Sequence, residues 1–325
     1  MRSLRPVRPV AGAAALALVA MVLTGCSGPA AAASCSPLAG TGVGAESVTA
    51  TGAFGTAPTV RFATPLSVKS TEVTPLIAGS GAPIQSKQEI VADLTILHGT
   101  TGAVVTKTEY SGVSTANAFV IGKVPVKGLA KALTCAKVGE RLAAVIPPKE
   151  GLSASTRGTE VAATDSIVVV ADIRRAYLAR ADGRDQVMAG GLPAVVLGPD
   201  GRPGITLPEG NPPSTLQVAD LKKGSGAVVA RGDTAIVHYT GVVWKPGDPA
   251  NGTVFDSSWT TGSPVAFPIR TASVIPGFVK ALAGQRVGSQ VLAVLPPSQA
   301  YGSKGSTSVP PGATLVFVVD VLGKG

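Results

Sequence analysis

The stretch that decides the fold opens with Thr234-Ala-Ile-Val-His-Tyr-Thr-Gly241 and closes with Leu315-Val-Phe317. Apolar side chains alternate in both segments, which is typical of β-strands with one buried face. Between the two segments, a short run has apolar residues at the spacing i, i+3, i+4, i+7: Ile275, Phe278, Val279 and Leu282. That spacing predicts a helix of about two turns with one apolar face. The stretch therefore predicts an α+β arrangement in which strands pack across one short helix.

The same helical pattern occurs once before, at a fixed distance along the chain. Gly128-Leu-Ala-Lys-Ala-Leu133 aligns without a gap with Gly277-Phe-Val-Lys-Ala-Leu282. The paired prolines Pro147-Pro148 and Pro296-Pro297 follow at the same offset. We therefore expect a duplicated domain, with the first copy over residues 47–178 and the second over residues 215–325.

The segments outside the two copies are rich in residues that favour turns and loops. Residues 26–46 are mostly Ala, Gly, Ser, Pro and Thr, which predicts a flexible tether. Residues 179–214 contain many Gly and Pro residues and predict a linker. Within this linker, Val195-Val-Leu197 and Ile205-Thr-Leu207 flank a Pro-Asp-Gly turn and predict a hairpin.

The N-terminal segment has the pattern of an export signal. Three arginines precede the apolar run Val10–Leu23, which is short for a membrane span. The run ends in Leu23-Thr-Gly-Cys26, which resembles the bacterial lipobox. This predicts a lipoprotein signal peptide over residues 1–25, lipidation of Cys26, and anchoring to the cell membrane on its extracytoplasmic side. Ordinary secretory cleavage near Cys26 is the alternative.

Two further cysteines, Cys35 and Cys135, remain if Cys26 carries a lipid. An oxidising compartment allows them to form a disulfide. Two unpaired thiols remain the alternative, and the sequence does not decide between them.

Composition excludes several classes of function. The formal net charge is +9, but no basic cluster is interleaved with aromatic residues, which argues against a nucleic-acid partner. The two histidines, His98 and His238, fall in different predicted domains, which argues against a histidine metal site or a Ser/His triad. Nucleotide-binding glycine motifs are absent from the sequence. We therefore expect neither a metal nor a cofactor.

Six separated motifs in the second copy resemble, in order and spacing, the FKBP-type peptidyl-prolyl cis-trans isomerases. They are Tyr239-Thr-Gly241, Gly252–Ser258, Pro264-Val-Ala-Phe267, Val274-Ile-Pro-Gly-Phe278, Ala300-Tyr-Gly302 and Val309-Pro-Pro-Gly312. The resemblance covers residues 215–325. It implies that each copy folds as a twisted antiparallel β-sheet wrapped around a short α-helix.

The resemblance also implies which residues form the site. The catalytic set by position is Tyr239, Phe255, Asp256, Tyr301 and Phe317. The residues implied to bind substrate are Phe267, Val274, Ile275, Phe278 and Val309. Phe278 stands where the family usually has tryptophan at the floor of its pocket. Any one of these aromatic residues is as easily explained as plain core, and Asp256 as a turn cap.

The first copy lacks most of these groups. By the alignment, Tyr239 is replaced by Leu94, Phe255 by Val105, Asp256 by Thr106 and Tyr301 by Leu152. The hypothesis is that the first copy is degenerate: it keeps the fold and does not catalyse.

The function that the resemblance implies is peptidyl-prolyl cis-trans isomerisation (rotamase activity) without a cofactor, assisting the folding of exported proteins. The implied partners are proline-containing polypeptides, macrolide ligands, and the membrane through the lipid on Cys26. A non-catalytic chaperone or binding module for proline-containing segments is the alternative from another class.

Overall fold

The computed structural model describes residues 35–112, 117–152, 161–188, 190–270 and 273–325. Residues 35–325 form one compact unit. The expected signal peptide and the expected lipidation site, Cys26, lie outside the described residues. In the ranges just given, no helix combines the length and the apolar character needed to cross a bilayer.

Two antiparallel sheets form the framework of the described chain. The strands of the first sheet are β3 (Glu72–Ile77), β4 (Glu89–His98), β5 (Val104–Lys107), β6 (Ala118–Val120), β7 (Arg141–Ile146) and β8 (Ile167–Ala176). The strands of the second sheet are β9 (Arg184–Asp185), β12 (Gln217–Lys223), β13 (Thr234–Trp244), β14 (Val254–Ser257), β15 (Val265–Pro268), β16 (Gln290–Leu295) and β17 (Thr314–Lys324). Each sheet packs against one short helix, which confirms the predicted α+β class.

The two sheets have the same strand order, which confirms the duplication read from the sequence. The first runs β3-β7-β8-β4-β5 with β6 paired to β4, and the second runs β12-β16-β17-β13-β14 with β15 paired to β13. Even the irregularities correspond, because a bulge in β5 falls at Val105 and a bulge in β14 falls at Phe255. The residues of the two copies can therefore be compared one by one.

The predicted helices are α2 (Lys127–Leu133) and α4 (Pro276–Leu282), and each lies close to its sheet. A further four-residue helix, α3 (Ser258–Thr261), follows β14. A Cβ atom on Gly277 would come within 2.6 Å of the Leu295 side chain on β16. A Cβ atom on Gly128 would come within 2.3 Å of the Ile146 side chain on β7. Glycine at these matched positions therefore allows the close helix–sheet contact in both copies.

The outer face of the first sheet is covered by residues that were predicted to be a tether. Helix α1 (Val43–Glu46) and the hairpin of β1 (Thr49–Thr51) with β2 (Thr59–Arg61) pack there, and Ala45 is fully buried. Cys35 forms a disulfide with Cys135, which ties this segment to the end of α2. The tether prediction is therefore wrong for residues 39–46, because small apolar residues of this segment complete a core.

A buried ion pair holds the covering hairpin of the first domain in place. Arg141 and Asp172 are fully buried, and the Arg141 Nε lies 2.5 Å from the Asp172 carboxylate. The guanidinium also donates to the carbonyls of Gly52, Ala53 and Thr56 in the hairpin loop. Its remaining donors are thus satisfied, as a buried charge requires.

The outer face of the second sheet is covered in the same way, by residues that were predicted to be a linker. Strand β10 (Ala194–Leu197) pairs with β11 (Pro203–Thr206) around the predicted Pro-Asp-Gly turn. Apolar side chains of this segment pack on Trp244 and its buried neighbours; they include Met188, Leu192, Val195, Ile205 and Leu207. The hairpin prediction is confirmed, and the segment is part of the second domain and not a free linker.

The two domains share a direct contact around the end of β8. Tyr177 is buried and packs over Gly323 of β17, where a Cβ atom would lie 2.1 Å from the tyrosine ring. The Leu178 N–H donates to the Leu322 carbonyl, and Arg175 donates to the Lys324 carbonyl. The connection between the domains is thus fixed to the last strand of the second domain.

Candidate active site

A cavity of about 550 Å³ opens on the second domain and gathers most of the predicted site residues. Its lining consists of Tyr239, Phe255, Asp256, Phe267, Ser273, Val274, Ile275, Pro276, Phe278, Tyr301 and Phe317. All five residues expected to be catalytic are in this lining. Four of the five residues expected to bind substrate are there as well. Residues that are far apart in the sequence therefore share one concave surface.

Five aromatic rings form the body of the cavity. The Phe278 ring centre lies 5.0 Å from that of Phe267 and 5.3 Å from that of Phe317. Tyr239 lies 5.6 Å from Phe267, and Phe255 lies 5.5 Å from Phe317. Most pairs meet edge to face, which is a favoured arrangement of aromatic rings. Phe278 is almost fully buried and is the centre of the group.

Each part of the cavity comes from a different element. Tyr239 points inward from β13, Phe255 and Asp256 come from β14, Phe267 from β15, and Phe317 from β17. The residues around the start of α4 supply one wall. They are Ser273, Val274, Ile275, Pro276 and Phe278. The strands of the sheet therefore form one side of the cavity, and the residues around the first turn of α4 form another.

Gly241 gives the aromatic rings their space. A Cβ atom at this position would lie 2.6 Å from the Phe255 ring and 3.0 Å from the Phe317 ring. Such distances are shorter than real carbon contacts, so a side chain here would displace both rings. In the first domain the register places Ile96 at the same position, opposite Thr106 and Val169.

A hydrogen bond links two of the predicted polar residues. The Tyr239 hydroxyl donates to the Asp256 carboxylate, which is exposed at the rim. Burial raises the pKa of Tyr239, and the adjacent Asp256 carboxylate raises that pKa further. Tyr239 is therefore a permanent proton donor at neutral pH, and Asp256 is held by it at the edge of the cavity.

Tyr301 lies at the opening of the cavity. It follows the 3₁₀ turn Pro297–Gln299 after one intervening residue, and about 40% of its surface is exposed. The Tyr301 hydroxyl is thus accessible to a molecule that enters the cavity. This position fits the donor role that the family resemblance implies.

Val309 does not lie where the sequence predicted. It is buried in the core of the second domain, and its N–H donates to the Ser306 carbonyl in a tight turn. It contributes to the packing of the core and is not part of the cavity lining. A valine next to a turn can face either the cavity or the core, and the sequence around Val309 did not indicate which.

Sequence reasoning missed three contributors to the site. Ser273 and Pro276 lie in the cavity lining, next to the predicted Val274 and Ile275. Gly241 was noted only as the end of a strand motif, although it faces two rings. For Ser273 and Pro276, the available signal was their position in the sequence next to Val274 and Ile275.

The first domain lacks most of the aromatic set at the matched positions. Its counterparts of Tyr239, Phe255, Phe278 and Phe317 are Leu94, Val105, Leu129 and Val169. Of the five rings, Phe119 alone is kept, and it pairs with Ile90 as Phe267 pairs with Ala235. Aliphatic residues fill this side of the first sheet.

Comparison with known proteins identifies the family of the second domain. A sequence model of the FKBP-type peptidyl-prolyl cis-trans isomerases matches residues 226–322. The FK506-binding protein of Streptomyces anulatus is 35% identical over 123 residues, which are 37% of this chain and 95% of that protein. The FKBP-type 22 kDa peptidyl-prolyl cis-trans isomerase of Escherichia coli is 44% identical over 110 residues, which are 34% of this chain and 50% of that protein. The crystal structure of the three FKBP domains of wheat FKBP73 aligns over 79% of this chain and 95% of that structure, with 22% identity and a TM-score of 0.35.

The chain belongs to the FKBP family of peptidyl-prolyl cis-trans isomerases. Its isomerase domain is the C-terminal domain, which contains the matched residues and the aromatic cavity.

Proposed function

We propose that the aromatic cavity isomerises X–Pro bonds of exported polypeptides and so assists their folding at the outer face of the cytoplasmic membrane. The observation that supports this proposal is the convergence of five aromatic rings, Asp256 and Tyr301 on one cavity. The lipid expected on Cys26 would hold the enzyme at that surface.

The reaction requires an apolar, water-poor environment and does not require a nucleophile. Amide resonance imposes a rotation barrier of about 18–20 kcal/mol, and spontaneous X–Pro exchange takes tens of seconds or longer. The planar amide is polar and well solvated, whereas the twisted transition state has lost its resonance. A cavity that removes water from the amide therefore favours the twisted form over the planar one. The ring set around Phe278 provides such a surface.

The polar residues position the substrate around the rotating bond. In our proposal the Tyr301 hydroxyl and the Ile275 N–H donate to carbonyls that flank the proline. Asp256, held by Tyr239, orients the groups at the rim. These contacts fix the substrate in a turn-like pose, so that rotation is the remaining motion.

We further propose that FK506 and related macrolides occupy the same cavity, since a relative with 35% identity carries that ligand in its name. Phe278 replaces the larger tryptophan that is usual in the family and lacks its indole donor. The affinity of this chain for such ligands is accordingly expected to be lower.

The first domain is proposed to be a structural and binding unit without isomerase activity. Its aliphatic counterparts at the ring positions support this proposal. Residue Thr106 of this domain stands opposite Ile96 as Asp256 stands opposite Gly241.

A protease-coupled prolyl isomerisation assay on residues 27–325 tests the assignment of the site. We expect Asp256→Val and Tyr301→Phe to lower kcat/KM by about tenfold or more, the effect of removing a group that positions the transition state. Thr106→Val is the matched control at the corresponding position of the first domain and is expected to keep wild-type activity. Wild-type kcat/KM in both second-domain variants would sink the assignment and leave a binding role.

The membrane proposal has a separate test. Mass spectrometry of the mature N-terminus from native membranes is expected to show Cys26 carrying a diacylglyceryl group. Cys26→Ser is expected to shift the protein from the membrane fraction to the soluble fraction. An unmodified N-terminus at another residue would contradict the anchor.

A further inference from the structure

A second cavity, of about 500 Å³, lies between the two domains on the reverse side of β13. The first domain lines it with the segments around Lys87 and around Ile121 to Lys123. The connector contributes Arg180, and the hairpin turn contributes Asp200. The second domain contributes His238 and Trp259. The cavity exists because the two domains and both connecting segments meet at this place.

The charged groups of this cavity are mostly positive. Lys87, Lys123 and Arg180 all line it, and none of them forms an ion pair within the described ranges of the chain. The Lys123 ammonium reaches only the Ser263 hydroxyl, at 3.3 Å. Asp200 is the single acid in the lining, and its carboxylate accepts the Arg202 N–H of its own turn. Three exposed cations that line one cavity, without an ion-pair partner among the described residues, favour the binding of an anion.

Two stacked rings form the wall that the second domain supplies. The rings of His238 and Trp259 lie 4.2 Å apart and nearly parallel, with an angle of 24°. The His238 Nδ1 lies 2.9 Å from the Ser258 hydroxyl. Burial, together with the nearby Lys123 charge, lowers the pKa of His238 to about 4, so the ring stack is neutral at pH 7.

The Trp259 indole nitrogen is enclosed by the protein. Its Nε1–H is buried and has no acceptor among the residues that the structure describes. Because solvent does not reach this atom, a molecule in the cavity would contact the carbon atoms of the indole and not its N–H.

We propose that this interdomain cavity binds a small organic anion with a planar body. Its negative group meets Lys87, Lys123 and Arg180, and its ring packs against the stack of His238 and Trp259. The site is separate from the aromatic cavity of the isomerase, and the proposal does not depend on the function proposed above.

The position of the site links it to the catalytic strand. His238 and Tyr239 are neighbours on β13 with side chains on opposite faces of the sheet. The Ser258 hydroxyl contacts both of them, since it also accepts the Tyr239 N–H at 2.9 Å. A ligand in the interdomain cavity would therefore contact His238, which is connected through the Ser258 hydroxyl to Tyr239 in the aromatic cavity.

Calorimetric titration of residues 27–325 with three probes separates the contributions of charge and ring. The first probe, phenyl phosphate, carries both the ring and the negative charge. The second, phenol, carries only the ring, and the third, inorganic phosphate, carries only the charge. We expect saturable 1:1 binding of phenyl phosphate that is at least about tenfold tighter than binding of either partial probe. Phenol binding as tightly as phenyl phosphate would overturn the proposal, and so would the absence of saturable phenyl phosphate binding.

Variants locate the binding event. The double variant Lys123→Gln with Arg180→Gln is expected to weaken phenyl phosphate binding about tenfold or more. Lys107→Gln with Lys149→Gln removes the same charge from exposed positions outside the cavity, and is expected to retain the affinity. Equal losses in both double variants would show a general charge effect and overturn the site.

The ring contact has its own readout. The chain has two tryptophans, so Trp244→Phe leaves Trp259 as the only indole fluorophore. Phenyl phosphate is expected to change the Trp259 emission with the same dissociation constant as calorimetry gives. An unchanged emission at saturation would contradict ligand contact with Trp259. Wild-type kcat/KM in the Lys123 and Arg180 variants would show that any loss of binding is independent of the isomerase site.

Discussion

Gly241 keeps the aromatic cavity open because it has no side chain. The first domain shows the alternative, since Ile96 stands at the same register position there and the neighbouring rings are absent. A side chain is thus present at this position in the strand that lacks the rings, and absent from the strand that holds Phe255 and Phe317.

Gly241→Ala is therefore expected to lower kcat/KM by about tenfold or more, because the new Cβ would lie 2.6 Å from the Phe255 ring. Overpacking is expected to cost about 1–3 kcal/mol in unfolding free energy. Isomerase kinetics and urea denaturation measure the two effects. Gly204→Ala is the control, because the nearest atom to its Cβ would be 3.5 Å away. Unchanged kinetics in Gly241→Ala would show that the rings tolerate displacement.

His238 and Asp320 face each other on β13 and β17 and have opposite pH dependence. Burial lowers the pKa of His238 from 6.5 to about 4, so its contribution to stability is present above pH 6.5 and is lost as the pH falls through 4. Burial raises the pKa of Asp320 from 3.8 to about 6, so its contribution is present below pH 3.8 and is lost as the pH rises through 6. The two effects oppose each other in the wild type.

Replacing either group is expected to unmask the pH dependence of stability that the other group contributes. As the pH falls from 7 to 4, the unfolding free energy of His238→Gln should rise relative to wild type by roughly 2–3 kcal/mol. That of Asp320→Asn should fall relative to wild type over the same range, by a similar amount. Denaturant titrations at several pH values measure both differences. Parallel pH profiles for the three proteins would contradict these pKa shifts.

Nine of the ten residues that the family motifs implied line the aromatic cavity, because these motifs keep a fixed order along the chain. The prediction for Val309 was wrong, because a valine in a tight turn can face either the cavity or the core and the sequence motif is the same in both cases. The interdomain cavity was not predicted. His238 was interpreted as a strand residue, and its neighbours Lys123, Arg180 and Trp259 approach only when both domains pack.

The covering segment of each domain was the least predictable element. Residues 39–46 have the composition of a loop, yet Ala45 is buried and Cys35 is joined to Cys135. The packing partner of a short apolar segment is set by the sheet that it covers, and local composition does not contain that information. The hairpin of β10 and β11 was predicted because its turn sequence is local.

Removing the disulfide should destabilise the first domain selectively. The bond closes a loop of 100 residues, so Cys35→Ser with Cys135→Ser is expected to cost about 2–5 kcal/mol in unfolding free energy. Isomerase kcat/KM should remain within about twofold of wild type, because the contacts described for residues 35–48 and for Cys135 lie within the first domain. Denaturation with and without reductant measures the loss. An equal effect of reductant on the serine variant would point to another cause.

The second domain extends beyond the residues that match the family. The Ala181 N–H donates to the Asp320 carboxylate at 2.8 Å, and the Gly183 N–H donates to the Gly288 carbonyl. Strand β9 and the hairpin of β10 and β11 add further pairing and apolar cover. Segments that precede residue 226 thus complete the second domain, although residues 226–322 carry the family match.

A fragment of residues 215–325 should therefore be less stable than a fragment of residues 177–325. We expect a difference of more than about 3 kcal/mol, because uncovering the outer face exposes several apolar side chains on and around Trp244. Urea denaturation of the two fragments measures it. Equal midpoints and slopes would show that the covering hairpin contributes little.

The two covering hairpins are spaced along the chain by the same interval as the strands beneath them. Thr49 pairs with Arg61 in the first, and Ala194 pairs with Thr206 in the second, so both partners are displaced by 145 positions. Residues of β4 and β13 keep the same displacement, with Ile90 matched to Ala235. The repeated unit of this chain therefore includes the hairpin as well as the sheet, and it is longer than the segment that matches the family.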